Sequence, residues 1–229
     1  MNEIKSWRLK DGRLVIGHIT SVNPLVDQIK NSTTADRQAL PLRQKDPLPI
    51  TIPDREVRVE NEKAFGSYKS NFLKENLLIN NIKSPGIYFF FNKKVGLKYC
   101  YYIGIADSIK RRMGEHITRR DYIFYSLAFP KKKEKFLEEV LWFYGQKKQY
   151  KKYIEEYKRQ TECLDCAGFD SLAWISSDEI PYCVWDLIET HFIIENQPCV
   201  NVGKKGAFPE KNYENTYLEV KDFVNDLIS

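Results

Sequence analysis

Residues Gly86 to His116, which read GIYFFFNKKVGLKYCYYIGIADSIKRRMGEH, decide the fold of this chain. The apolar run at the start of this stretch contains β-branched and aromatic residues and predicts a buried strand. A polar turn with two lysines follows, and a second apolar run over residues 98–103 is expected to return antiparallel. Gly104 is predicted to end this return strand, and Asp107 or Ser108 to cap the helix that follows.

The helix after this hairpin has two neighbouring ridges. Ile109, Met113 and Ile117 recur at a spacing of four, which predicts a face turned toward the core. Arg112 and His116 are also four residues apart and therefore share a ridge, which we expect at the edge of the buried face.

Residues 1–80 are predicted to form an N-terminal arm that precedes the main domain. Asp11-Gly12 lies between two short β-prone runs and indicates a hairpin. Five prolines at positions 24, 41, 47, 49 and 53 then break the periodicity, which favours an irregular segment. The basic residues of this segment would either contact phosphates or belong to a solvated loop: Lys30, Arg37, Arg43 and Lys45.

A basic helical insertion is predicted at about residues 123–170. Residues 147–159 contain six lysines and arginines interleaved with three tyrosines. Such a pattern can follow a nucleic-acid backbone and stack bases, but it also fits a solvated helix face. The sequence leaves both interpretations open.

Beyond the insertion, residues 172–175 predict a third strand, and a helix is expected to start at Pro181 and stop at Pro198. Glu189 lies beside the apolar face of that helix. A final helix is predicted within residues 206–229. The expected fold is therefore α+β, with a small three-stranded antiparallel sheet flanked by helices, a helical insertion and an N-terminal appendage.

Composition narrows the class of protein. The 229 residues are 42% hydrophobic and 29% charged, with a net charge of +5, which is typical of a globular protein with clustered positive charge. No apolar segment is long enough to span a membrane. The five cysteines, an odd number, favour buried thiols in a reducing cytoplasm. Cys163-x-x-Cys166 lacks a second ligand pair for zinc.

Over roughly residues 84–202 the chain resembles the GIY-YIG nuclease superfamily, and we assign residues 81–205 to such a domain. The two naming tripeptides stand as Gly86-Ile87-Tyr88 and Tyr102-Ile103-Gly104. The family's later motifs are matched by an arginine and a histidine on one helix, a glutamate on a later helix and an asparagine after a proline-containing bend. The resemblance therefore implies six site residues: Tyr88, Tyr102, Arg112, His116, Glu189 and Asn201.

The resemblance implies a metal-dependent endonuclease of the restriction or defence type that cuts duplex DNA. Glu189 would hold Mg²⁺ or Mn²⁺, and Arg112 would bind phosphate oxygens through its planar fork. A homodimer fits such an enzyme, since one active site cuts one strand. The long insertion departs from the family pattern, so target specificity cannot be carried over.

Several alternatives stay open at this point. Either Tyr88 or His116 could be the direct general base, and Asn201 could orient Glu189 or brace the backbone. Glu195 and Asn196 are rivals of Glu189 and Asn201. The protein could instead be a repair, mobile-element or structure-selective nuclease that acts on DNA or RNA, or a nucleic-acid-binding module without catalysis.

Overall fold

The computed structural model describes residues 4–27, 83–117, 123–128, 155, 158–165, 168–201 and 213–229. The described strands are β1 Lys5–Arg8, β2 Leu14–Ser21, β3 Gly86–Phe91, β4 Tyr102–Ala106 and β5 Ser171–Ser176. The helices that concern the site are α1 Ile109–Ile117, α2 Ile123–Ala128, α3 Tyr182–Asn196 and α4 Glu214–Ile228. The predicted α+β class is confirmed.

The described strands form one antiparallel sheet of five strands in the order β1-β2-β5-β3-β4. The prediction of three strands was wrong, because the N-terminal hairpin adds to the outer edge of β5. Strand β2 pairs with β5 from Ile16 opposite Ser176 to Ser21 opposite Ser171. The two N-terminal strands thus belong to the same sheet as β3 and β4. The predicted irregular arm beyond residue 27 lies outside the described residues.

The two faces of the sheet follow from the alternation of side chains along β3. Ile87, Phe89 and Phe91 point to one face, where they pack with α3 and α4. Tyr88 and Phe90 point to the other face, where they pack with residues of α1 and α2. Both faces are covered, so β3 is buried along its whole length.

Strand β4 does not run where the sequence predicted it. It begins at Tyr102 rather than Lys98, and it continues to Ala106 with Gly104 in its interior. Tyr99 adopts a left-handed backbone with φ 56°, and its N–H donates to the Asn196 carbonyl at 2.7 Å. These residues therefore belong to the turn, and β4 starts only after them. As the last strand in the sheet order, β4 leaves its outer edge to the segment after α3, where the Asn201 side chain bonds the Ile103 backbone.

The helices begin and end where local chemistry changes. Ser108 Oγ accepts a hydrogen bond from the Arg111 N–H at 3.4 Å, as expected for a capping residue. Helix α3 follows Pro181 and ends at Asn196, and its C-cap Gln197 adopts a left-handed backbone with φ 48° just before Pro198. Of the helices that the structure describes, none combines the length and apolar character that a membrane span requires.

The structure tests the predicted insertion only in part and confirms the predicted burial of the thiols only in part. The middle of the basic insertion lies outside the described residues, as does Cys166, while residues 123–128 and 158–165 are helical. Cys100 is buried, but Cys183 is exposed and Cys199 is half-buried. The expectation of buried thiols was therefore wrong for Cys183, which lies on the solvent side of the first turn of α3.

Candidate active site

The hydroxyl of Tyr88 is the centre of a buried polar cluster between β3, β4 and α1. His116 Nε2 lies 2.8 Å from this hydroxyl, and Arg112 Nε donates to it at 3.2 Å. The spacing of four residues brings both partners onto the same side of α1. His116 is only 2% exposed. It therefore lies inside the buried face rather than at its edge, because it packs against the rings of Tyr88 and Phe90.

Gly104 makes room for this hydroxyl. It lies directly opposite Tyr88 in the β3–β4 register. A Cβ atom at this position would collide with the Tyr88 hydroxyl and lie 2.7 Å from a ring carbon of Tyr102. Gly104 was predicted to end β4, but its role is to leave space beside the strand for the Tyr88 ring to reach past it.

Tyr102 joins the cluster from β4, with its ring centroid 6.0 Å from that of Tyr88. Burial raises the pKa of both phenols, that of Tyr88 well above the ordinary value, and the Arg112 guanidinium opposes this shift in both. The carboxylate of Glu189 also raises the pKa of Tyr102. Both tyrosines are therefore protonated at neutral pH.

Glu189 is the acidic group that α3 brings toward this cluster. Its side chain is only 7% exposed, and its charge is close enough to raise the pKa of Tyr102. A carboxylate at this degree of burial requires partners that favour its ionised form, such as hydrogen-bond donors, cations or a metal ion.

The chemistry of the Glu189 carboxylate and its surroundings fits a magnesium ion. Mg²⁺ commonly uses one or two carboxylates and completes its shell with waters and phosphate oxygens. The described part of the chain contains no group of three or more His, Cys, Asp or Glu side chains placed to hold a metal by themselves. Glu189 supplies a single carboxylate, and its charge and that of the Arg112 guanidinium both act on the Tyr102 phenol, which is compatible with the looser requirement of Mg²⁺.

Asn201 braces the outer edge of β4. Its Oδ1 accepts from the Ile103 N–H at 3.0 Å, and its Nδ2 donates to the Ile103 carbonyl at 2.7 Å. Of the two roles considered from the sequence, these contacts match bracing of the backbone. Its rival Asn196 instead donates to the Phe192 carbonyl within α3.

The alternative glutamate points elsewhere. Glu195 accepts hydrogen bonds from the Tyr217 hydroxyl and the Lys221 ammonium group, both on α4. His191 stacks on the Tyr217 ring with centroids 4.5 Å apart. These residues join α3 to α4 and face away from Tyr88, so the structure brings Glu189 and not Glu195 to the cluster.

Two residues that contact the site, Glu115 and Arg159, were missed in the sequence. Glu115 accepts a hydrogen bond from Arg112 Nη1 at 2.8 Å, and its other oxygen accepts from Arg111. Arg159, the last residue of the basic run 147–159, donates to the carbonyl of Val200 beside Asn201. The spacing of three between Arg112 and Glu115 was a usable signal, but nothing local links Arg159 to Val200.

Comparison with known proteins gives no match: no family model, no curated protein and no solved structure corresponds to this chain.

Proposed function

We propose that this protein is a metal-dependent endonuclease that hydrolyses phosphodiester bonds in DNA. The observation that carries the proposal is the buried Tyr88 hydroxyl, which contacts His116 at 2.8 Å and Arg112 at 3.2 Å. A structural tyrosine needs one hydrogen-bond partner when it is buried. His116 can exchange a proton with this hydroxyl, and the permanently charged Arg112 can bind an anion, which together suit proton transfer at an anionic substrate.

Tyr88 and His116 would act together in activating the attacking water. Because burial raises the pKa of Tyr88, the phenol does not ionise alone at neutral pH. Neutral His116 can take the Tyr88 proton through Nε2 while Tyr88 takes one from the water, so that each oxygen keeps a partner. This pairing supports a relay in which Tyr88 contacts the water and His116 receives the proton.

Arg112 would bind the phosphate. Its Nε donates to Tyr88 and its Nη1 to Glu115, so the guanidinium plane is held in place by two contacts. A held fork can donate to phosphate oxygens with little loss of side-chain entropy and stabilise the charge that grows in the transition state. Glu115 is then a positioning residue that acts through Arg112.

Glu189 would hold Mg²⁺ or Mn²⁺. When bound there, the ion would neutralise charge on the phosphate and on the leaving oxygen. The charges of Arg112 and Glu189 both act on the phenol of Tyr102, in opposite directions. Tyr102 would orient the phosphate. Asn201 would keep the β4 backbone, and with it Tyr102, in position.

From the sequence resemblance, we propose duplex DNA as the substrate and a restriction or defence enzyme of the cytoplasm as the type of protein. A homodimer would be required if both strands are cut together. A repair, mobile-element or structure-selective nuclease would use the same six residues, and so would an enzyme that cuts RNA.

The proposal is tested by digestion of phage DNA with the purified protein, in Mg²⁺ and in EDTA. We expect discrete fragments in Mg²⁺ and none in EDTA. A smear would retain the nuclease but replace sequence-specific cleavage with a structure-selective or non-specific activity. Intact DNA in Mg²⁺ and Mn²⁺, with the protein bound to it in a gel shift, would favour a binding module and overturn the catalytic proposal.

A further inference from the structure

The loop that joins β3 to β4 is formed by residues 92–101, and its most exposed side chains are all basic, aliphatic or aromatic. Val95 is 66% exposed and Tyr99 is 53% exposed. The other exposed side chains of this loop are Lys93, Lys94 and Lys98. The loop contains no carboxylate, and none of its three lysine ammonium groups forms an ion pair with a described acidic residue. The loop therefore exposes both positive charge and apolar surface to solvent.

The loop is held in one shape by its own backbone. The Asn92 carbonyl accepts from the N–H groups of Val95 at 3.0 Å and Gly96 at 2.9 Å, and Asn92 Oδ1 accepts from the Lys94 N–H. Asp170, the described acidic residue that contacts the loop, accepts from the Lys93 N–H through Oδ1 at 2.9 Å. The same oxygen also accepts from the Ser171 hydroxyl, so the contacts of this carboxylate within the described part of the chain are to the Lys93 backbone and to Ser171 rather than to a lysine side chain.

The far end of the loop is also fixed. Tyr99 keeps φ 56°, which is uncommon for a residue with a bulky side chain, and its N–H donates to the Asn196 carbonyl at the end of α3. Lys98 Nζ lies 5.5 Å from the centroid of the Tyr99 ring. An exposed aromatic ring and a cation are therefore presented together on a rigid support.

The loop lies next to the candidate active site along the chain. Tyr102 comes three residues after Tyr99, so the two Cα atoms are at most about 11 Å apart. Each strand of a DNA duplex has one phosphate per roughly 3.4 Å of helix axis. A strand whose phosphate lies at Tyr102, and whose path runs toward this loop, would bring phosphates within about three nucleotides of the cut past the loop.

We infer that the β3–β4 loop is a second contact surface for the DNA backbone, with its lysines on phosphates that flank the cleaved bond. This inference rests on the proposed nuclease function, because it takes the substrate's position from the catalytic cluster. Charge complementarity identifies the occupant: unpaired lysines attract a polyanion, and the Val95 and Tyr99 side chains can lie against sugars or bases in the groove.

The test compares two double variants with equal loss of charge. Lys94→Gln/Lys98→Gln removes two loop cations. Lys5→Gln/Lys10→Gln removes the same formal charge from the hairpin at the opposite edge of the sheet, three to four strand spacings or about 14–19 Å away. Because Lys5 pairs with Asp226, the melting temperature of this variant is measured as well. Binding of a fluorescent DNA duplex is measured by anisotropy in EDTA over a range of salt concentrations. Cleavage of plasmid is measured separately in Mg²⁺.

We expect the loop variant to lose about ten-fold or more in affinity at 0.1 M salt, and the slope of log affinity against log salt to fall by about 1.8. The matched variant and Lys94→Arg/Lys98→Arg should bind like the wild type. The loop variant should melt at the wild-type temperature, since the substituted side chains are exposed.

The outcomes separate this inference from the proposed function. Unchanged affinity and slope in the loop variant, with normal cleavage by the wild type, would overturn the inference and leave the nuclease intact. Loss of binding in the loop variant, with no cleavage by the wild type, would support the loop surface and defeat the nuclease proposal. Binding of an RNA duplex but not of the DNA duplex would overturn the inference as stated.

Discussion

Replacing Glu189 with alanine should lower the rate of DNA cleavage by about 10³-fold or more, while DNA binding and folding are retained. Glu189 is the carboxylate that α3 brings to the Tyr102 side of the cluster. The loss of one group that stabilises transition-state charge typically costs about 10² to 10³ in rate, and a carboxylate that would hold the metal ion should cost at least that much.

Two further variants show whether the loss of cleavage is specific to the charge of Glu189. Glu189→Gln keeps the shape of the side chain but removes its charge, and should be as inactive as the alanine variant. Glu195→Gln changes the same residue type six positions further along α3, where the carboxylate binds Tyr217 and Lys221. That control should cut DNA at the wild-type rate. Cleavage by Glu189→Gln within ten-fold of the wild type would remove Glu189 from the site, and loss of the circular dichroism spectrum would make it structural.

Replacing Arg112 with alanine should lower the cleavage rate by about 10² to 10³-fold, and replacement with lysine should not restore it. Arg112 uses Nε for Tyr88 and Nη1 for Glu115, so its shape as well as its charge is in use. A lysine ammonium is a single point of charge and cannot make both contacts while it also binds a phosphate in a fork. The measurement is initial cleavage rate at saturating DNA.

Arg111→Ala is the control for this substitution. Arg111 is the preceding residue on α1, is exposed, and pairs with Asp107 and Glu115. Exposed ion pairs contribute little to stability, so stability should change little, and cleavage should stay within a few-fold of the wild type. An active Arg112→Lys variant, or an Arg111→Ala variant as impaired as Arg112→Ala, would contradict the role given to Arg112.

The local part of this structure was predictable from the sequence. The spacing of Arg112 and His116 places both on one side of α1, and β3 was recognisable from its aromatic run. The β1–β2 hairpin was also predicted, from its Asp-Gly turn. Its position was not, because the pairing of β2 with β5 joins segments about 150 residues apart and no local signal encodes it.

The details of the site that were predicted wrongly from the sequence have related causes. The limits of β4 were wrong because Tyr99 adopts a backbone conformation that its residue type rarely takes. Gly104 was interpreted as the end of a strand, since the need for space beside Tyr88 appears only when the two residues are paired. The choice between Glu189 and Glu195 likewise could not be made locally, because it depends on which residues of α3 contact α4.

Cleavage of supercoiled plasmid in Mg²⁺ by the wild type and by Tyr88→Phe, side by side, tests the central claim most directly. The substitution removes one oxygen atom, the one that contacts both His116 and Arg112. We predict that the wild type nicks or linearises the plasmid and that Tyr88→Phe, still folded and still bound to DNA, is at least about 10²-fold slower. Equal rates would contradict the account, because the Tyr88 hydroxyl would then be only a structural group.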